Sequence, residues 1–194
     1  ENIFAIQSEI SQTVASSLQA VMTPDEKSQI ENVPTDSLQA YELYLLGNQR
    51  MERRTAEALD EAVGFFERAL DIDPEFALAY VGLADSLTLL KAWDGSRDPA
   101  ELLAPSIAAA EKAIELDPTL GEAYASLGAT HAAQRTGEDP EPYFARAIEL
   151  SPNYAIAYKA YGEYVNTRRG GNRFEQARDL YERALALNPL SPIV

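Results

Sequence analysis

Residues 62–74 read Ala-Val-Gly-Phe-Phe-Glu-Arg-Ala-Leu-Asp-Ile-Asp-Pro, with Ala62, Phe66, Ala69 and Pro74 as fixed points. The same spacing returns as Ser106, Ala110, Ala113 and Pro118, as Pro140, Phe144, Ala147 and Pro152, and as Ala177, Tyr181, Ala184 and Pro189. One unit has been copied four times, and a period of about 34 residues marks a repeat array that buries its core by stacking neighbours.

The stretch ahead of each copy completes the unit. Leu43-x2-Leu46-Gly47, Tyr80-x2-Leu83-Ala84, Tyr124-x2-Leu127-Gly128-x2-His131 and Tyr158-x2-Tyr161-Gly162-x2-Val165 place apolar residues three and four apart, the spacing of one helical face. Each unit therefore reads as helix, turn, helix. Two helices approach closely only where a side chain is nearly absent, so Gly47, Ala84, Gly128 and Gly162 mark the close contacts. Ala62, Ala69, Ala113, Ala147 and Ala184 mark the others, and Phe66, Phe144 and Tyr181 fill the space between pairs. Asp73-Pro74, Asp117-Pro118, Ser151-Pro152 and Asn188-Pro189 read as a cap and a proline that end one helix and begin the next.

These motifs, from Asp36 to Pro189, resemble the tetratricopeptide repeat (TPR) family. The resemblance implies an all-α fold, a right-handed superhelical solenoid of antiparallel helix pairs. The repeats would span 36–73, 74–117, 118–151 and 152–188, with 190–194 starting a further helix. A narrower likeness lies in residues 4–10, 40–47 and 77–85 and the long second turn. These look like the tetratricopeptide regions that follow bacterial class III nucleotide cyclase domains or winged-helix DNA-binding domains, which implies a regulatory neighbour upstream.

Residues 1–35 stand apart from the array. Ile3, Ile6, Ile10, Val14, Leu18 and Val21 recur at intervals of three and four, an amphipathic helix that must cover something. Thr23-Pro24-Asp25-Glu26 has the form of a capping box, and a linker leads into the first repeat. The helix reads either as a cap on the stack or as a junction with a preceding domain.

The intervals between the four prolines are 44, 34 and 37 residues, which predicts insertions of ten and three residues in the turns of the second and fourth units. The longer one, from Lys91 to about Ala100, carries Trp93, the single tryptophan, as a packed lid or as an anchor for a partner. Deleting Asp94 to Arg97 is then expected to leave helicity and melting temperature nearly unchanged.

Sixteen basic against 31 acidic residues give a net charge of −15. Such a chain repels phosphate backbones, so no nucleic-acid partner is expected and an electrostatically steered protein partner should be basic. The basic clusters at 49–54 and 168–173 read as solvated turns. No apolar run reaches the length needed to span a bilayer, so no membrane insertion by this segment is expected. Localisation reads as cytoplasmic, or periplasmic if a transmembrane segment lies upstream. The absence of cysteine excludes disulfides and thiol chemistry.

Catalytic constellations are missing. His131, the single histidine, falls on a first helix where it packs inside its own unit, and without cysteine a zinc site is not expected. No catalytic, metal or cofactor-binding residue is assigned, no cofactor is expected, and this segment reads as non-enzymatic.

Function falls instead to the inner face lined by first helices, as the resemblance implies. The candidate binding face comprises Tyr41, Tyr44, Asn48 and Met51, then Val81, Asp85 and Thr88, then Glu122, Ala125, Ser126, Ala129 and Ala132, and finally Lys159, Glu163 and Asn166. The small residues of the third unit leave a trough for a peptide or helix. Family members that clamp the terminal carboxylate of heat-shock chaperones use Lys, Asn and Arg at set inner positions. Asn48 matches one, but Tyr44, Asp85, Ala125 and Ser126 stand at others, so chaperone-tail capture is not expected.

Two functional readings follow. One is a non-catalytic scaffold for a protein or peptide partner within a larger bacterial protein. The other is the regulatory or oligomerising region of a nucleotide cyclase or transcriptional regulator. The last repeat, with Leu180, Tyr181, Ala184 and Leu187, would offer an uncovered end, which leaves three expectations open: a homo-oligomer through that end or through the N-terminal helix, burial of the end against the helix of residues 3–21, or lower solubility.

Overall fold

A computed structural model describes residues 34–135, 137–167 and 173–189, together with Glu9, Ile10 and Thr13. Most of the N-terminal amphipathic stretch, the basic loop at 168–172 and the segment 190–194 lie outside the described residues. Among the described residues from 34 onward, eight helices follow one another: α1 (Leu38–Met51), α2 (Ala56–Ile72), α3 (Ala77–Trp93), α4 (Pro99–Leu116), α5 (Gly121–Gln134), α6 (Glu141–Leu150), α7 (Ala155–Thr167) and α8 (Arg173–Leu187). No strand occurs among the described residues.

Each helix packs on the next in sequence, and α1, α3, α5 and α7 also touch one another in series. The first helices thus form one continuous row. Aromatic rings from the second helices seal the joints: Phe66 and Phe144 are fully buried, each against a glycine. A Cβ built on Gly128 would stand 3.0 Å from the Phe144 ring, and one on Gly162 would stand 3.0 Å from Tyr181. Gly128→Leu should therefore cost roughly 1–3 kcal/mol by overpacking. Gly95→Leu, with nothing within 4 Å, should cost far less. Equal melting temperatures for the two variants would contradict this packing.

Side-chain caps start three of the helices among the described residues. Ser37 accepts from the Ala40 amide at 3.2 Å, Thr55 from Ala58 at 3.2 Å and Asp98 from Ala100 at 2.9 Å. The residue-plus-proline pairs act differently from the sequence expectation. Asp73, Asp117 and Ser151 are C-caps, their amides donating to Ala69, Ala113 and Ala147 carbonyls at 2.9, 2.9 and 2.8 Å. The following helices begin only at Ala77, Gly121 and Ala155. A residue before proline is pushed out of the helical region, which stops the helix there. The Asp73 and Asp117 carboxylates then fold the turn by accepting from the Glu75 and Thr119 amides at 3.0 and 2.9 Å. Fully buried Phe76 stands at the N-cap of α3 and anchors its entry by packing rather than by a hydrogen bond.

The ten extra residues of the second unit also go elsewhere than the turn. The α3–α4 connection is only residues 94–98, while α3 has 17 residues and α4 has 18, against 14 and 10 in α5 and α6. The added turns bury their own apolar faces, because Leu87, Leu90 and Leu102 cluster with Leu59 of α2. The short connection is tied down as well: Arg97 donates through Nη1 to Asp60 Oδ1 at 2.8 Å and pairs with Asp94 at 3.0 Å. The expected tolerance to deletion of Asp94 to Arg97 does not survive, since Asp98 alone would have to reverse the chain between two antiparallel helices.

The two ends of the stack are partly apolar. Leu38, Leu45 and Leu46 of α1 are exposed, as are Phe174 and Leu185 of α8. Leu180 and Tyr181, expected to be uncovered, are half-buried against Tyr164, Val165 and Ala177 of their own pair, and Ala184 is fully buried. Of the N-terminal stripe, described Ile10 is helical and exposed.

Candidate peptide-binding trough

The row of first helices walls a trough of about 1160 Å³. Eight of the candidate residues line it: Asn48, Met51, Asp85, Thr88, Ala129, Ala132, Lys159 and Glu163. The others are placed differently. Val81 is buried against Ala113 and Ala123, Ala125 against Ala147 and Ala157, and Ser126 is buried under Asp85. Tyr41 and Tyr44 are half-buried and stack at 6.0 Å, Glu122 is half-buried, and Asn166 is exposed away from the trough.

The trough also has walls that helical periodicity on the first helices does not point to. The lengthened α3 carries Leu89, Ala92 and Trp93 to its mouth, and Trp93 is 53% exposed there. Trp93 is therefore not a packed lid. Ile156, 44% exposed, faces the same space from α7. Arg54 and Arg135 line it from the turns after α1 and α5, with positive φ of 50° and 62°. The left-handed backbone at Arg135 ends α5 where a glycine would ordinarily be favoured.

A buried hydroxyl triangle holds the middle of the wall in register. Thr88 of α3 lies 2.9 Å from Ser106 of α4 and 2.8 Å from Thr130 of α5, and Ser106 lies 2.9 Å from Thr130. Ser106 also reaches the Ala84 carbonyl, and Thr130 the Ser126 carbonyl, both at 2.9 Å. Three hydroxyl protons thus find acceptors within one joint. Ser106 occupies the repeat position held by Ala62 and Ala177, so this joint trades an apolar contact for a polar lock. Thr130→Val, equal in shape, should cost about 1–2 kcal/mol, read as a lower urea midpoint. An unchanged midpoint would show that the triangle contributes nothing.

The electrostatics of the trough are uneven. Lys159 pairs with Glu163 at 3.0 Å on the α7 wall. Asp85 has no such partner among the described residues; its Oδ1 accepts from Ser126 Oγ at 2.5 Å. Burial raises the Asp85 carboxyl from its ordinary value of 3.8 to about 6, the Ser126 hydrogen bond opposing. Burial, then the negative field of Asp85 and Glu122, pushes the Tyr154 hydroxyl well up. Burial also raises Tyr44, although its hydrogen bond with Asn48 works the other way. His131, as expected from sequence, packs within its own helix pair, stacked on Tyr143 at 5.3 Å.

No group of three or more metal-ligating side chains occurs among the described residues. No helix among them is long and apolar enough to cross a membrane.

Comparison with known proteins finds no matching family model. Over 98 residues the chain is 31% identical to "Putative adenylate cyclase 3" of Rhizobium meliloti (strain 1021), a match covering 50% of this chain and 17% of that protein. The chain thus spans a small part of that relative's length. Among solved structures, the first TPR of Spaghetti (RPAP3) bound to the HSP90 peptide SRMEEVD has a TM-score of 0.53 at 22% identity, covering 70% of this chain and 98% of that one. MamA has a TM-score of 0.50 at 17% identity, covering 87% of this chain and 96% of that one. Both likenesses join the copied spacing, the glycine-to-ring contacts and the row of first helices in one conclusion: the chain has the tetratricopeptide fold, an all-α solenoid of helix pairs.

Proposed function

We propose that this chain is a non-catalytic protein-interaction module whose trough takes a peptide or helix of a partner protein. The observation that carries this reading is the trough itself, where Trp93 and Ile156 stand exposed beside the small Ala129 and Ala132. Large apolar side chains left in a concave wall are what a bound segment would cover. The Spaghetti (RPAP3) domain holds an acidic HSP90 peptide. This chain lines its trough with both signs of charge, Asp85 and Glu163 together with Arg54, Lys91, Arg135 and Lys159.

Panning the 194-residue chain against a displayed library of random 12-residue peptides tests the reading. Selected peptides should shift the emission of Trp93, the only tryptophan, and should lose affinity on Trp93→Ala and Ile156→Asp. Binding that ignores both substitutions would place the interaction elsewhere.

The likeness to the cyclase over half of the chain favours a second reading: a regulatory or oligomerising region of a larger signalling protein whose chemistry lies in another domain. Exposed Phe174 and Leu185 would serve an oligomeric contact. The full gene sequence decides whether a cyclase or DNA-binding domain accompanies the array.

A further inference from the structure

The outer face of α1 differs from the matching face of every other first helix. The repeat register sets Glu42, Leu45, Leu46 and Gln49 of α1 level with Ala79, Gly82, Leu83 and Ser86 of α3 and with Ala123, Ser126, Leu127 and Thr130 of α5. In α3 and α5 this row packs on the second helix of the preceding unit, as Gly82 does on Phe66 and Thr130 on Ser106. All of it is buried there except the half-buried Leu83. In α1 the row is open: Glu42 and Gln49 are exposed, Leu45 is 48% and Leu46 40% exposed, and Leu38 ahead of them is 49% exposed.

A second helix of the repeat type does not fit this face. Gly82 is bare because the Phe66 ring closes on it, and α1 carries Leu45 at the same place. Glu42 stands at the place of Ala79, which has no exposure at all. A second copy stacking its α8 on α1 would drive the Tyr181 ring into Leu45 and bury the Glu42 carboxylate beside Tyr181 and Ala184. The face calls for an aliphatic helix without a ring, and the chain holds one candidate. Residues 3–21 carry the stripe Ile3, Ile6, Ile10, Val14, Leu18 and Val21. Ile10 is helical and 56% exposed, and the Thr13 hydroxyl donates to the Glu9 carbonyl at 2.7 Å, four residues back as on a helix. The chain enters α1 at a fixed point, because buried Thr35 donates to the Asp73 carboxylate and accepts from the Ser37 amide at 3.1 Å. The thirteen residues 22–34 reach up to about 40 Å, while α1 is about 21 Å long, so the stripe can return along it.

We propose that residues 3–21 lie as a helix across the outer face of α1, the aliphatic stripe covering Leu38, Leu45 and Leu46, so that the chain caps its own first repeat. Tethering favours this occupant over any free one, since the linker makes the contact intramolecular. Leu45 and Glu42 then act against the wrong neighbour, because they block the head-to-tail stacking of copies that a repeat end otherwise invites. The inference concerns the end of the stack and stands or falls separately from the trough.

The chain has no cysteine, so introduced pairs report the contact cleanly. Leu45→Cys is combined in the 194-residue chain with Ile10→Cys, Val14→Cys or Leu18→Cys, or with Gln12→Cys on the opposite side of the stripe, and each double variant is oxidised mildly. At least one stripe pair should close a disulfide within a single chain, seen as faster migration on a non-reducing gel, and the Gln12 pair should not. Disulfides between chains would give the face to a second copy and overturn the proposal, as would equal closure of all four pairs or closure of none. Hydrogen exchange supplies a second reading. Leu45→Asp with Leu46→Asp, both at exposed positions, should speed exchange of the amides of residues 3–21 at least tenfold and leave those of α3 and α5 unchanged. Exchange in residues 3–21 that ignores both substitutions would show that the stripe does not rest on α1.

Discussion

Asp85→Asn should raise the melting temperature of the free chain at pH 7 while leaving it nearly unchanged at pH 4. The folded state raises the Asp85 carboxyl from 3.8 to about 6, chiefly through burial. A group raised in this way contributes stability below pH 3.8 and loses it as pH climbs through about 6, because the folded chain resists giving up the proton. The penalty in full at pH 7 is about 3 kcal/mol. Asparagine keeps the shape and the oxygen that accepts from Ser126 but carries no charge. The expected gain is up to about 3 kcal/mol, roughly 6–12 °C for a chain of this size. Melting curves recorded from pH 4 to pH 8 check it: wild type and variant should converge at the acid end and separate above pH 6. Parallel curves would mean that the carboxylate is not strained by its surroundings.

A stabilising substitution in a wall of the trough would be the mark of a site kept for binding at a cost in stability. It also explains why a carboxylate stands where hydrophobic burial alone would place a small or apolar residue. The favourable state of Asp85 is reached by protonation as pH falls through about 6.

Much of this architecture was legible in the sequence because the repeat states its own geometry. Phe66 and Phe144, and the alanines at 62, 69, 113, 147 and 184, are buried where the spacing placed them. The pattern failed where local spacing gives no information about length or burial depth. Nothing in the interval from Pro74 to Pro118 says whether extra residues loop out or extend two helices; Leu87, Leu90 and Leu102 decide it by finding Leu59 across the joint. The trough shows the same limit. A helical wheel puts Val81, Ala125 and Ser126 on the inner face beside Asp85 and Ala129, but adjacent first helices touch along part of that face and bury the first three. Trp93 and Ile156 reach the trough from the end of one helix and the start of another, where periodicity on a single face is no guide. His131 was legible as a packed residue from its place in the motif, yet its lack of hydrogen bonds among the described residues only emerges from the surroundings.

The largest loss of stability is expected at Phe66, and the reason is a contact the repeat pattern conceals. Within the first unit, Phe66 meets Gly47, where a Cβ would stand 2.7 Å from the ring. The matching small residue of the second unit is Ala84, and the motif alone suggests nothing special about Gly82. In the structure Gly82 closes on the same ring, so that Phe66 is held between α1 and α3 with no exposure at all. Ser126 and Ala160 occupy the corresponding places of the third and fourth units, where the ring positions of the preceding units are Ala110 and Phe144. Phe66→Ala should cost roughly 3–5 kcal/mol, since the two helices cannot close the cavity without losing their register. Gly82→Ala, normally favourable in a helix, should instead destabilise by about 1–3 kcal/mol, because its Cβ would stand 2.4 Å from a fully buried ring that also meets Gly47. Gly64→Ala, also in a helix but with nothing within 4 Å, should stabilise by about 0.5–1 kcal/mol. Urea unfolding of the three variants checks the set. If Gly82→Ala and Gly64→Ala both stabilise, the ring is free to move and the clamp between the first two helix pairs does not exist.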